Sequence, residues 1–208
     1  MQNKVMLKLN TYVGLIYLMD ENQEKGALAK EWLQRAISTY RHSANNGDVH
    51  SQYMLGVIYL TTDMISFEDA LAWTQKAADE GHPEAEYNLS TFYRDNALLQ
   101  SIENHLKWLN KSAGHGYPEA QYQLGVLYAT GESVEKNDEI AIGWYKKAAL
   151  SNHAGAMYNY GVMLLFGEGA DKDEKTGWHW VELAARSGSP AAQDLLEKSN
   201  KARGVATE

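Results

Sequence analysis

The sequence predicts an all-α fold: a right-handed α/α superhelical solenoid of about five helix-loop-helix repeats, closed by one further helix. Three observations predict it. The segments MLGVIY (54–59), NLSTFY (88–93), QLGVLY (123–128) and NYGVML (159–164) align without gaps, at offsets of 34, 35 and 36 residues. A second signature follows each of them. Trp73 precedes Ala77-Ala78, Trp108 precedes Ser112-Ala113, Trp144 precedes Ala148-Ala149, and Trp180 precedes Ala184-Ala185. A turn then ends each copy: Gly81-His82-Pro83, Gly116-Tyr117-Pro118, Asn152-His153 and Gly188-Ser189-Pro190. Self-similarity at a period of 20–50 residues is the mark of stacked repeats.

An earlier copy carries YVGLIY (12–17), with Thr39 in the Trp place before Ser43-Ala44 and a turn at Gly47-Asp48. The repeats therefore run approximately over 4–47, 48–82, 83–117, 118–153 and 154–189. A capping helix follows at 190–201, and 202–208 read as a flexible tail. Residues 1–201 form one solenoid on this reading, because a single hairpin cannot bury both its faces and stacked neighbours make the core continuous.

Within a copy, Ala85, Leu89 and Tyr93 recur at i, i+4 and i+8, and Ala120, Leu124 and Tyr128 repeat them, one stripe of a helix. Gly14, Gly56, Gly125 and Gly161, with Ser90, sit in mid-helix at one register. Glycine there costs about 1 kcal/mol against alanine, so its recurrence points to the close approach of a neighbouring helix. The paired alanines serve the same purpose from the second helix, and Trp and Tyr are expected to fill the wedge between helices. Gly followed by Pro ends one helix and starts the next.

These residues resemble the Sel1-like repeat family, relatives of the tetratricopeptide repeats. The family's pattern is Ala, then Leu-Gly, then Tyr, a Gly-rich loop, Ala-x-x-Trp, an Ala-Ala pair and a closing Gly. Copy four, AQYQLGVLYATGESVEKNDEIAIGWYKKAA, matches almost throughout, and copy five keeps FGEGADKDEKTGWHWVELAA with Gly177 in the Ala place. Copies two and three lack the Gly-x-Gly loop, copy three has His105 in the Ala place, and copy one has a longer loop and no Trp at position 39. The resemblance spans roughly residues 5–200. It implies an adaptor or regulator that binds a protein partner. One version is a bacterial immunity or inhibitor protein that caps a toxic effector.

Stacking would line the first helices along a concave surface. The stripe beside the packing stripe supplies the candidate partner-binding residues: His50, Tyr53 and Val57 in copy two; Glu84, Tyr87, Thr91 and Arg94 in copy three. Glu119, Tyr122 and Val126 follow in copy four, and Tyr158 and Val162 in copy five. Leu60, Ala129, Gly155 and Leu165 extend the same stripe. Tyr53, Tyr87, Tyr122 and Tyr158 form a ladder of a residue type enriched at interfaces. The same rings also suit packing between copies, and both readings stand at this stage. Trp32 and Trp178, outside the repeat's Trp register, are further interface candidates or core residues at a repeat end.

The formal net charge of −8 opposes nucleic-acid binding and attraction to anionic membranes. Residues 63–103 hold nine acidic side chains and two basic ones, for a net of −7. That region is either a solvated acidic face or one that suits a basic partner surface, with Glu84 and Glu86 as the test positions. There is no cysteine, which removes disulfides, thiolate zinc sites and cysteine nucleophiles. No run of about 18 apolar residues occurs, so no membrane insertion is expected. The first twenty residues read as a helix of the fold rather than a signal peptide. The expected location is cytoplasmic, or periplasmic if a signal has been removed.

No catalytic constellation appears, and neither cofactor nor metal is called for. His82 and His153 share one turn position and read as turn residues. DKDEK (171–175) lacks the Gly and the closing Glu of a calcium loop, and the Gly-Glu-Gly stretch at 167–169 lacks the Gly-Lys-Ser/Thr of a phosphate loop. The expectation is therefore a non-enzymatic binding module. An enzyme or small-ligand receptor built in the groove, or a self-assembling structural subunit, remain the alternatives, and the oligomeric state is open.

Overall fold

The structure, a computed structural model, describes residues 23–61, 66–97 and 99–202. The first helix of copy one with Gly14, the loop residue Asp63 and the tail from 203 lie outside the described residues, as does the side chain of Leu60. The chain divides into two compact units, Met1–Leu99 and Gln100–Glu208. The division falls inside copy three, between its two helices.

Unit 1 holds α1 (Gln23–Asn45), α2 (Val49–Thr61), α3 (Phe67–Asp79) and α4 (Pro83–Asp95). Unit 2 holds α5 (Ile102–Gly114), α6 (Pro118–Thr130), α7 (Asp138–Leu150), α8 (Ala154–Phe166), α9 (Glu174–Arg186) and α10 (Pro190–Ala202). Within each unit every helix packs on its chain neighbours. Nine of these helices are 13 residues long and α1 has 23. Part of the span expected as a longer loop in copy one is therefore helix, since α1 starts at Gln23.

The turns explain the paired alanines further. Gly81 N–H donates to the Ala78 carbonyl and His82 N–H to that of Ala77, at 3.0 Å each. The same two bonds close the turns at Gly47, Gly116, Asn152 and Gly188, the acceptors being Ala44 and Ser43, Ala113 and Ser112, Ala149 and Ala148, and Ala185 and Ala184. This is the Schellman pattern, which needs a left-handed residue after the helix. Four of the five positions are glycine with φ between 82° and 90°, and Asn152 takes φ 63°.

The mid-helix glycines sit at close helix contacts. A Cβ on Gly125 would lie 2.6 Å from the Tyr145 ring, and one on Gly56 would overlap the Thr74 hydroxyl. Gly161 of α8 and Gly177 of α9 oppose each other, each with its Cβ position within 2.9 Å of the other's carbonyl oxygen. Tryptophan fills the wedge less fully than expected. Trp108 is buried, but Trp73, Trp144 and Trp180 are half-buried. Lysines three residues on lie over three of these rings, with Lys76, Lys111 and Lys147 at 4.2, 4.2 and 3.9 Å from the centroids. The rings are thus capped at the surface by ammonium groups.

The loops of copies four and five share one shape. Gly131 and Gly167 end α6 and α8 in the left-handed region, and Asn137 and Asp173 cap α7 and α9 with their side chains. One position differs: Gly169 has φ 71°, whereas its counterpart Ser133 is held at φ 64°. A left-handed L-residue costs roughly 1–2 kcal/mol. Ser133→Gly is therefore expected to raise stability by up to about 1 kcal/mol after glycine's entropy cost, read as a higher urea midpoint at unchanged slope. An unchanged or lower midpoint would show that the loop stores no strain there.

Candidate functional site

The predicted stripe lies at the surface in both units. His50, Tyr53, Val57, Glu84, Tyr87 and Thr91 in unit 1 are half-buried, and Arg94 is exposed. Glu119, Tyr122, Val126, Tyr158 and Val162 in unit 2 are half-buried. The packing stripe is shut away, with Ala85, Leu89, Ala120 and Leu124 at 0% exposure. Two of the predicted side chains are engaged within their own helix. Thr91 donates its hydroxyl to the Asn88 carbonyl, and Arg94 holds Asp95 through two bonds of 2.7 and 2.9 Å. Leu165 does not belong to this surface: it is buried, its branched end filling the space that Gly177 leaves on α9.

Glu86 also leaves the surface set, at 1% exposure. Residues at this register reach toward the ends of second helices, Gln52 donating to Glu80 at the end of α3. Gln52 and Gln121 hold the same position and are buried too. Gln121 donates its amide to the Ala113 carbonyl at 3.1 Å. A partner meeting the acidic region can reach Glu84 but not Glu86.

The histidines of the turns do more than turn the chain. His82 stacks on Tyr53 at 4.4 Å and 19°, and on His50 at 5.9 Å and 25°. In unit 2, His153 stacks on Tyr122 at 4.5 Å and 22°. Each pair joins the tyrosine of one first helix to the residue that starts the next. His153 is held from two sides: its Nδ1 accepts the Ala156 N–H at 3.0 Å, capping α8, and its Nε2 lies 2.9 Å from the Glu119 carboxylate. Accepting at Nδ1 leaves Nε2 as the donor, so this ring is orientated as one tautomer. Gly155 makes room for the pair; its Cβ position is 3.3 Å from both rings.

His82 is arranged differently. It makes no cap bond, and its Nδ1 lies 3.1 Å from Glu84 without hydrogen-bond alignment. Burial holds its pKa below the ordinary 6.5, with Glu84 opposing and His50 adding to the depression. The unfolded chain thus takes up a proton near pH 6.5 that the folded chain refuses until lower pH. Stability is full above that value and falls as the pH drops through it. His82→Gln is expected to flatten this part of the stability profile in urea denaturation between about pH 5.5 and 7.5. A slope equal to that of the parent would assign the titration elsewhere.

Sequence reasoning missed these pairs because it read each turn by itself. The available signal was the recurrence of histidine at one turn position, one repeat after a stripe tyrosine. It also missed a cleft of about 220 Å³ in unit 2, lined by Ala129, Lys136, Asp138, Tyr145, Asn159, Val162, Met163 and Glu168. Tyr145 is 3% exposed, and burial pushes its hydroxyl up to about 12 despite a hydrogen bond with Asn159. The loop residues Asp173 and Glu174, by contrast, act structurally: Asp173 caps α9 and Glu174 pairs with Lys172 at 2.7 Å.

Comparison with known proteins agrees with the geometry. A family model described as Sel1 repeat matches residues 11–38, 49–82, 118–153 and 154–189. The chain belongs to the Sel1 repeat family. Copy three falls between the matched segments, which fits its Ser90, its His105 and its missing Gly-x-Gly loop. A Sel1 repeat protein from Oxalobacter formigenes has the same fold with a TM-score of 0.73 at 25% identity, covering 92% of this chain and 65% of that one. A protective antigen present in uropathogenic Escherichia coli strains gives 0.65 at 26%, covering 93% and 42%. An F-box protein of Arabidopsis thaliana is 30% identical over 68 residues, 33% of this chain and 19% of that protein. The Sel1 repeat chain thus spans less than two thirds of each of these relatives. Sel1 repeats are protein-interaction scaffolds, and no described helix of this one is long and apolar enough to cross a membrane.

Proposed function

We propose that this Sel1 repeat chain is an adaptor or regulator that binds a protein through the half-exposed stripe of its first helices. The supporting observation is the Tyr122–His153 pair. It is partly exposed, stacked, and fixed by bonds to Glu119 and to the start of α8. A rigid aromatic surface with a polar tip offers contact area at little ordering cost, which is what interface hot spots require. Tyr53 and His82 repeat the arrangement in unit 1. The acidity of residues 63–103 favours a basic partner, and an inhibitor that holds a toxic basic effector is the finer version of this reading.

The test compares affinity capture by the parent chain, by Tyr122→Ala and by Leu150→Ala, an exposed position off the stripe (65% exposed). A partner held by the parent and by Leu150→Ala, but weakened by Tyr122→Ala by about tenfold or more at unchanged helicity, is the expected result. Equal capture by all three proteins would overturn the proposal.

A further inference from the structure

The unit 2 cleft borders the stripe, with which it shares Val162 and Ala129, and its lining points to a particular occupant. We propose that it receives one arginine side chain of the protein partner, an assignment that rests on the stripe being a protein-binding face. Four observations carry it.

The first is size. About 220 Å³ falls short of the roughly 300–1,000 Å³ of pockets that enclose small-molecule ligands, but it admits a single long side chain. The second is charge. Lys136 is the only cation of the lining, and it is already 3.3 Å from Asp138. Among the described residues Glu168 has no ion pair, so the lining carries one uncompensated carboxylate. The field of the helix ends has the same sign. The carbonyl ends of α6 and α8 lie beside Ala129 and Met163, and such ends favour cations. The single amino end, that of α7, is covered by the Asn137 cap together with Asp138 and Glu139.

The third observation is the set of acceptors. Tyr145, Asn159, Asp138 and Glu168, all able to accept hydrogen bonds, line one cleft, with Val162 and Met163 as its apolar members. A guanidinium carries five donors in a planar fork and a long apolar stem, whereas an ammonium is a compact point charge. Several acceptors beside an apolar wall therefore match arginine. The fourth is singularity. The register position of Tyr145 is Leu109 in copy three and Val181 in copy five, both at 0% exposure. In copy two it is Thr74, whose hydroxyl is spent on the Ala70 carbonyl at 2.8 Å. Copy one has Tyr40 there, with its loop outside the described residues, so among copies two to five only copy four places a phenol at this position.

The experiment uses the whole chain, nitrogen-15 labelled, titrated with the peptide Ac-Ala-Ala-Arg-Ala-Ala-amide and with its neutral citrulline isostere. The expected result is a saturable change at the Asn159 side-chain amide and at Gly167 and Glu168 with the arginine peptide only. Binding should weaken as salt is raised, and about threefold or more in Glu168→Gln. Glu168 is exposed, so this variant keeps its fold, and an unchanged dispersion of the remaining amide signals verifies that. Equal response to the citrulline peptide, unchanged affinity in Glu168→Gln, or changes centred elsewhere would each overturn the assignment. If the peptide fails while Tyr122→Ala still loses the partner, the stripe stands and the cleft assignment falls. If the peptide binds while Tyr122→Ala captures the partner like the parent, the converse holds.

Discussion

Gly161→Ala is expected to destabilise the protein by about 1–2 kcal/mol, while Gly143→Ala stabilises it by up to about 1 kcal/mol. Both glycines lie inside helices of unit 2, so both substitutions gain the same intrinsic helix propensity. They differ in what the new methyl group meets. At Gly161 it would stand 2.8 Å from the Gly177 carbonyl oxygen and 3.0 Å from the Val181 nitrogen. Both are backbone atoms, which cannot swing aside, so α8 and α9 must separate and loosen the contacts of Val181 and Leu165. Overpacking of this kind costs about 1–3 kcal/mol, of which the propensity gain returns part. At Gly143 nothing lies within 4 Å, and only the gain remains. The urea midpoints should move in opposite directions. A gain at Gly161 would refute the close approach of α8 and α9, and a loss at Gly143 would refute the open space beside α7.

Leu55→Ala should have a still larger effect, a loss of about 3 kcal/mol, within the 2–5 kcal/mol typical of a large core side chain cut to alanine. Leu55 is 0% exposed and belongs to the unit 1 core with Leu33, Ala36, Ile37, Tyr40, Met54, Ile58 and Ala70. Its neighbours come from α1, α2 and α3, so the cavity would open where three helices meet and could not close by the shift of one. Hydrogen exchange should show the earliest loss of protection in those helices. Leu150→Ala is the matched control. That leucine is exposed, and its truncation should stay within about 0.5 kcal/mol of the parent. Similar losses in the two variants would mean that Leu55 is not part of a tight core.

The repeat architecture was legible in the sequence because it rests on local chemistry. Gly-Pro turns, alanine pairs and a glycine at one helical register each impose a backbone geometry on the residues beside them. The register also placed the described stripe residues at the surface, Leu165 excepted. It could not place Glu86, which is buried at a register position shared with Gln52 and Gln121, and what covers that position is known only once the tilt of one helix on the next is known. The same limit hid the Tyr53–His82 and Tyr122–His153 stacks. Their rings come from elements about thirty residues apart, and each histidine alone looks like an ordinary turn residue. Tyr145 could not be singled out either. A tyrosine among buried apolar residues has no signature in sequence until Asn159, Lys136 and Glu168 are seen to surround it.

The turn that follows each second helix has a consequence for how such chains change over time. Its two closing bonds run from main chain to main chain and ask of the sequence only a residue able to adopt the left-handed conformation. A junction specified so loosely is interchangeable. The end of any copy can be followed by the start of any other, and a recombination event between two such turns adds or removes a whole copy without creating a new joint. The loops inside the copies lack this freedom. That of copy five leans on α7, with the Gly169 Cβ position overlapping the Asp138 carbonyl, so a crossover there would leave two mismatched halves. Genetic exchange among these repeats should therefore favour breakpoints at the glycine and asparagine turns, with copy number as the character that varies most freely.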